Sequence, residues 1–133
     1  MKKLLASDKI YIAQSKIAKA GRGVFARVSI KKGELIESCP IIEIPKNDVS
    51  NLKESILVTY FFYFGKNKDQ LTIALGFGSI YNHAYRSNAI YKLKPKDRVM
   101  DFVALKEIKK DEEITVDYLH GNPKGENPLW FEV

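Results

Sequence analysis

Short runs of β-forming residues, each ended by a glycine, a proline or a polar cluster, limit most strongly what this chain can fold into. The longest uncharged apolar stretch, residues 56–64, has nine residues, which is about half of what a membrane-spanning helix needs. The sequence therefore predicts a mainly β protein without a membrane span. The strand candidates are residues 10–14, 23–28, 34–38, 41–44, 60–64, 71–75, 89–93 and 100–105.

Prolines and polar residues set the expected boundaries in the first half of the chain. Cys39-Pro40 is expected to separate two strands. Pro45 should end the second of them, because proline lacks the N–H that a β-ladder requires. A short helix over about residues 48–57 could be capped by Asp48 or Ser50.

Length and composition indicate one folded domain. The chain has 133 residues, within the usual range of about 100–200 residues per domain. Its hydrophobic fraction of 45% excludes bulk disorder, because enough apolar surface is available to offset chain entropy. Cys39 has no partner for a disulfide, and with His83 and His120 as the other soft ligands we expect no structural zinc site.

The positive charge has two interpretations. A net charge of +6 suits an acidic partner such as nucleic acid, but it also suits a solubilising surface. The second is favoured, because the lysines fall in turns at 31–32, 66–68 and 109–110 rather than in one stripe with interleaved aromatics. Direct contact with nucleic acid stays open. Residues 111–117 contain four acids and could form a rim that holds a basic peptide.

The N-terminal residues imitate a secretory signal only briefly. Two lysines precede Leu4, Leu5 and Ala6, but Asp8 soon follows, whereas a signal needs about 7–15 apolar residues. We therefore expect a reducing, intracellular location. That location is the cytoplasm, or a nucleus if the source is eukaryotic or acts in a host nucleus.

Two segments echo each other. Residues 29–36 (SIKKGELI) and 107–114 (EIKKDEEI) match at five of eight positions. Two copies do not make a solenoid, which needs three or more stacked units. We interpret the echo as a shared turn, with Gly33 or Asp111 as the turn residue before a strand.

A glycine-containing hexapeptide overlaps the second strand candidate, residues 23–28. Residues 21–26 (GRGVFA) fit the loose G-x-G-x-x-A pattern of dinucleotide-binding folds, but those folds need a helix that starts at the glycines. Val24 and Phe25 favour a strand instead. The glycines are better explained by close approach of the backbone to a ligand or to another strand.

An Asn-His dipeptide follows two glycines and an apolar pair. Residues 75–83 read LGFGSIYNH, and Asn88 lies five residues beyond His83. Asn and His are costly to bury without partners, so His83 is either a satisfied core histidine or part of a binding site. The amide of Asn82 can read a polar ring edge, and His83 can fix a loop or accept from an amine.

Two aromatic-containing segments come late in the chain. Residues 112–118 (EEITVDY) are compatible with a half-buried edge strand that leaves Tyr118 on the surface. Residues 128–133 (PLWFEV) carry a Trp-Phe pair, which is unusual because termini commonly fray. We expect that pair to dock onto the body of the protein or to cover a ligand.

The order of these motifs resembles the SET domain family of protein-lysine methyltransferases. GRGVFA, IKKGE, LGFGSIYNH with Asn88, and EEITVDY follow one another across about residues 8–120, and they look most like the minimal single-domain proteins of viruses and microbes. The resemblance implies a mainly β, SET-domain (β-clip) fold of small twisted sheets with a C-terminal pseudoknot and a short helix. It implies a single domain over 1–133, with an aromatic tail at 121–133.

The resemblance also implies how a cofactor is held. S-adenosylmethionine would lie against the backbone around Arg22 and Gly23 and against Asn82 and His83. Trp130 would cover the adenine or form a wall of the substrate channel, as C-terminal aromatics do in zinc-free relatives. No metal is implied.

For the substrate channel, the resemblance places Tyr118 at the inner end. Tyr60 would be the second channel tyrosine, with Tyr63 as the competing assignment. Val116 stands where an aromatic often tunes the number of methyl groups added, so product multiplicity stays open. Ala84 and Ser87 replace a serine and a proline that family members often have, and these changes could alter the rigidity of the loop.

The implied activity is transfer of a methyl group from S-adenosylmethionine to the ε-amine of a lysine. The substrate would be a basic protein such as a histone or a DNA-associated protein. A homodimer would complete the peptide groove, because minimal members lack flanking domains. Two alternatives remain: a catalytically silent SET-like peptide-binding module, and a small basic nucleic-acid-binding protein.

Overall fold

Two small sheets account for most of the structure. The computed structural model describes residues 3–64 and 70–118, and within these residues there are nine strands and one α-helix. The expectation of a mainly β protein is therefore confirmed. The strands are β1 (Ile10–Gln14), β2 (Arg22–Ala26), β3 (Leu35–Ile44), β4 (Phe62–Phe64), β5 (Gln70–Ala74), β6 (Asn82–His83), β7 (Ala89–Lys94), β8 (Val99–Ala104) and β9 (Glu113–Val116).

The first sheet brings early and late parts of the chain side by side, in the order β1-β2-β9-β6. β2 is antiparallel to β1 and to β9, whereas β9 is parallel to β6, with His83 opposite Val116. β9 is thus an inner strand, not the edge strand that residues 112–118 suggested. The segment after Tyr118, which the expected pseudoknot would thread, lies outside the described residues.

The second sheet is built around one long strand, β3, in the order β4-β5-β3-β8-β7. The expectation of two strands separated by Cys39-Pro40 is wrong, because β3 runs through both residues. It pairs with β8 up to Pro40 and with β5 from Ile41 onward. Proline is accommodated at this change of partner because the sheet uses its carbonyl, which accepts the Leu75 N–H at 2.9 Å.

The helical segment is shorter and more broken than expected. A turn of 3-10 helix (Lys46–Asp48) leads into α1 (Val49–Lys53), and a second 3-10 segment covers Ile56–Thr59. Asp48 occupies the N-cap position of α1 but makes no side-chain capping bond. Ser55 interrupts the helix and caps the second 3-10 segment, since its Oγ accepts the Leu57 N–H at 3.2 Å.

The two echoing segments form the same turn, as predicted. Gly33 and Asp111 both have positive φ, at 84° and 68°. In each turn the following glutamate bonds back to a lysine N–H three residues earlier. The structure adds a contact between the copies, because Ile30 and Ile108 exchange two backbone hydrogen bonds of 2.8 Å.

The core contains the apolar faces of both sheets. Tyr81 and Phe102 stack at its centre with ring centroids 4.3 Å apart, and both are almost fully buried. Phe62 and Tyr91 pack edge-on against each other at 4.9 Å. Among the described residues, no helix is long and apolar enough to cross a membrane.

Candidate active site

Five of the predicted site residues line one cavity of about 320 Å³, a volume at the lower end of the range for ligand pockets. They are Arg22, Tyr60, Asn82, His83 and Tyr118. The other lining residues are Ile17, Ala18, Lys19, Ala20, Thr59, Ser79 and Ile80.

Three further predictions have different outcomes. Trp130 lies outside the described residues, and so does the side chain of Tyr63, the competing channel tyrosine. Gly23 is next to the cavity-lining Arg22, and a β-carbon at this position would overlap the Glu113 carboxylate. The roles in substrate and cofactor binding stay predictions for all of these residues.

Parallel pairing of β6 with β9 joins two segments that are 35 residues apart. His83 Nδ1 accepts the backbone N–H of Tyr118 at 2.9 Å, and the two rings lie 5.1 Å apart between centroids. The expectation that the Asn-His pair and Tyr118 lie together is therefore confirmed.

The hydrogen bonding of His83 determines its tautomer. Because Nδ1 accepts, a neutral ring carries its proton on Nε2. That nitrogen is buried and has no hydrogen-bond partner among the described residues. Burial lowers the pKa of His83, although Asp117, 3.7 Å from Nδ1, acts in the opposite direction. The site therefore contains a neutral imidazole whose Nε2–H has no acceptor among the described residues.

Tyr118 is held through its hydroxyl as well as through its backbone. The hydroxyl donates to the main-chain carbonyl of Tyr81 at 2.5 Å. Burial, with a smaller contribution from Tyr60, raises the pKa of Tyr118 well above its ordinary value. The phenol thus stays protonated at neutral pH.

Tyr81 is itself held by a buried carboxylate that the sequence reasoning missed. Its hydroxyl donates to Glu37 Oε1 at 2.8 Å, and the Phe77 N–H donates to Oε2 at 2.9 Å. Glu37 is only 7% exposed. The signal that could have identified Glu37 is its place between the apolar residues Ile36 and Cys39 in β3. An acid buried at such a position needs hydrogen-bond donors nearby, because an unpaired buried carboxylate is very costly.

Asn88 has a structural role. Its Nδ2 donates to the Glu113 carbonyl and its Oδ1 accepts the Thr115 N–H, both at 2.9 Å. Since it is buried and satisfied on both sides by β9, Asn88 clamps that strand and is not a free ligand-binding group.

Three acids of the run at 111–117 have hydrogen-bond partners within the protein. Asp111 accepts from the Tyr11 hydroxyl, and Glu112 closes the turn at Lys109. Glu113 is half-buried and accepts from the side chains of Ser15 and Asn82. Asp111 and Glu112 are exposed and Glu113 is half-buried, so a role of this run in holding a basic peptide stays a prediction. Within the described residues no cluster of His, Cys, Asp or Glu could hold a metal ion.

Comparison with known proteins agrees with this geometry. The model of the SET domain family matches residues 21–119. A histone-lysine N-methyltransferase from Schizosaccharomyces pombe, specific for H3 lysine-37, is 32% identical over 113 residues, which cover 84% of this chain and 71% of that protein.

Solved structures resemble the fold as well. A Plasmodium falciparum protein described as a histone methyltransferase has a TM-score of 0.62 and 35% identity, covering 83% of this chain and 92% of that one. Polycomb Repressive Complex 2 from Chaetomium thermophilum, in an autoinhibited conformation bound to S-adenosylmethionine, has a TM-score of 0.71 at 21% identity. That match covers 89% of this chain and 16% of the other, and at this identity it shows a shared fold.

Proposed function

Because this chain belongs to the SET domain family, we propose that it is an S-adenosylmethionine-dependent protein-lysine N-methyltransferase. The observation that carries the proposal is the joint placement of Asn82, His83, Tyr60 and Tyr118 around one cavity. Neither a silent binding module nor a nucleic-acid binder requires a protonated phenol fixed beside that pair.

The polar groups of the cavity suit the chemistry of the cofactor. The buried Nε2–H of His83 has no partner among the described residues, and a buried donor of this kind needs an acceptor. Asn82 and the backbone near Arg22 would hold the ligand together with His83. When bound, S-adenosylmethionine supplies a methyl group activated by a sulfonium.

Tyr118 would orient the lysine amine and would not remove its proton. With its hydrogen on the Tyr81 carbonyl, the phenol oxygen can accept an N–H from the amine and aim the nitrogen lone pair. Its raised pKa shows that the neutral phenol is strongly favoured, so the amine proton would leave to water. Desolvation favours the neutral amine, because burial disfavours a charged ammonium. Alignment is expected to supply most of the acceleration.

The name of a relative and the charge of the chain support the substrate class that we propose. The S. pombe relative is named as a histone-lysine N-methyltransferase, and we propose a histone or another DNA-associated basic protein as substrate. An intracellular location and a homodimer that completes the peptide groove belong to the same proposal. The net charge of +6 would disfavour a free basic peptide at long range but would suit a substrate bound to DNA.

A labelled-methyl assay with recombinant histones tests the proposal. The wild type should transfer label to lysine, and Tyr118→Phe should lower turnover by about 100-fold, because small misplacements of reacting groups cost about that much. Tyr11→Phe is the matched control, since Tyr11 bonds the turn residue Asp111 and does not line the cavity. Unchanged turnover of Tyr118→Phe at every pH would remove Tyr118 from the mechanism. A wild type without calorimetric cofactor binding would favour the silent module.

A further inference from the structure

Glu113 accepts hydrogen bonds from Asn82, which lines the cavity, and from Ser15 and Lys16, which precede the cavity-lining segment 17–20. Its Oε1 accepts the Lys16 N–H at 3.0 Å, and its Oε2 accepts from Ser15 Oγ at 2.8 Å and from Asn82 Nδ2 at 3.0 Å. Ser15 also accepts the Ile17 N–H at 3.0 Å. One carboxylate on β9 therefore ties the start of the cavity-lining segment 17–20 to the cavity-lining Asn82.

Gly23 provides the space for this carboxylate. A β-carbon at that position would overlap Glu113 Oε2 and would lie 3.0 Å from Asn82 Nδ2. The backbone of Gly23 is in β2 and does not have positive φ, so conformational freedom is not the reason for glycine here. The second glycine of GRGVFA is therefore explained by the side chain of Glu113, which comes from the neighbouring strand β9 and occupies the space of a β-carbon.

Both amide hydrogens of Asn82 have acceptors. Nδ2 donates to the Arg22 carbonyl at 2.8 Å and to Glu113 Oε2 at 3.0 Å. Because a carbonyl and a carboxylate can only accept, they determine which end of the amide faces them. The remaining polar atom, Oδ1, is an acceptor, so Asn82 can offer a ligand in the cavity a site for a donor.

We propose that Glu113 is a positioning residue that leaves Asn82, in the wall of the cavity, as a hydrogen-bond acceptor for an amine of the ligand. It does so by turning the Asn82 amide so that Oδ1 remains for the ligand, and by holding the Ser15–Lys16 backbone against the same wall. The inference rests on the proposed function, in which the amine is the α-ammonium of the cofactor. A neutral glutamine at 113 can donate as well as accept, so the Arg22 carbonyl alone would still require the Asn82 amide to keep this orientation, and the hold on it would be weaker.

Calorimetry with two nucleoside ligands tests this role without measuring catalysis. S-adenosylhomocysteine carries the α-ammonium, and 5′-methylthioadenosine lacks the amino-acid portion. In Glu113→Gln the affinity for S-adenosylhomocysteine should fall about tenfold or more, as expected for a weakened hydrogen bond to a charged group. The affinity for 5′-methylthioadenosine should stay within about twofold of the wild type.

Glu112→Gln is the matched control, because Glu112 is the adjacent acid and its side chain accepts the Lys109 N–H in the turn. It should leave both affinities unchanged. Equal losses for both ligands in Glu113→Gln would show a general collapse of the wall and overturn the proposal, as would no loss for either ligand. If Glu113→Gln does not fold, Gly23→Ala takes its place and should give the same selective loss, because its β-carbon displaces the carboxylate. A wild type that binds neither ligand would instead refute the proposed function.

Discussion

Replacing Tyr81 by phenylalanine removes one oxygen atom from the centre of the core and should destabilise the protein by about 2–3 kcal/mol. The ring would keep its stack on Phe102 at 4.3 Å, so little packing is lost. The hydrogen bond from the hydroxyl to Glu37 at 2.8 Å would be lost. Bonds to charged groups contribute about 1.5–3 kcal/mol, and Glu37 would remain buried with the Phe77 N–H as a donor.

Urea and thermal unfolding at neutral pH measure this effect. For a chain of this size the loss corresponds to a fall of about 10 °C in Tm. Tyr85→Phe is the control: Tyr85 is 58% exposed, and its change should stay within about 0.5 kcal/mol. If Tyr81→Phe were as stable as Tyr85→Phe, the buried Glu37 would not depend on the phenol, and our reasoning would be refuted.

Two other predictions concern stability. Burial lowers the pKa of His83, with Asp117 opposing. As the pH falls, the unfolded chain therefore takes up a proton at His83 before the folded chain does. The contribution of His83 to the free energy of unfolding should be fully present above about pH 6.5 and should be lost as the pH falls through the lower pKa of the folded state. Urea unfolding at pH 7.5 and at pH 5.5 measures this loss, which should be smaller in His83→Gln than in the wild type. Equal losses in the two proteins would contradict the prediction. Gly33→Ala should cost about 1–2 kcal/mol for positive φ alone, since its surroundings are open. Gly76→Ala should cost clearly more in the same unfolding assay, because a β-carbon there would also overlap the Glu37 carboxylate; equal costs would contradict this.

Much of the local structure could be predicted from the chain. The run at 10–14 became β1 with the same bounds, and Pro45 follows the end of β3 as expected. The echoing segments formed matching turns at Gly33 and Asp111. These features depend on residue types within a few positions of each other, such as alternation, missing N–H groups and tolerance of positive φ.

The errors arose where a residue depends on partners far along the chain. Cys39-Pro40 looks like a break, but β3 changes partner there and continues. Glu113 looked like part of an acidic surface, yet it serves Ser15 and Asn82, which are 98 and 31 residues away. No local pattern carries the position of such distant donors.

The sequence by itself determined which short segments become strands and turns, and the order of its motifs indicated the family and the residues of the site. Only the tertiary structure decided which polar groups in those segments satisfy one another. Burial makes each unpaired donor or acceptor costly, so the pairing of β6 with β9 determines the hydrogen bonds of His83, and Glu37 and Glu113 hold Tyr81 and Asn82. These long-range pairings set the geometry of the cavity, because they fix the positions of side chains that the motifs identify only by residue type.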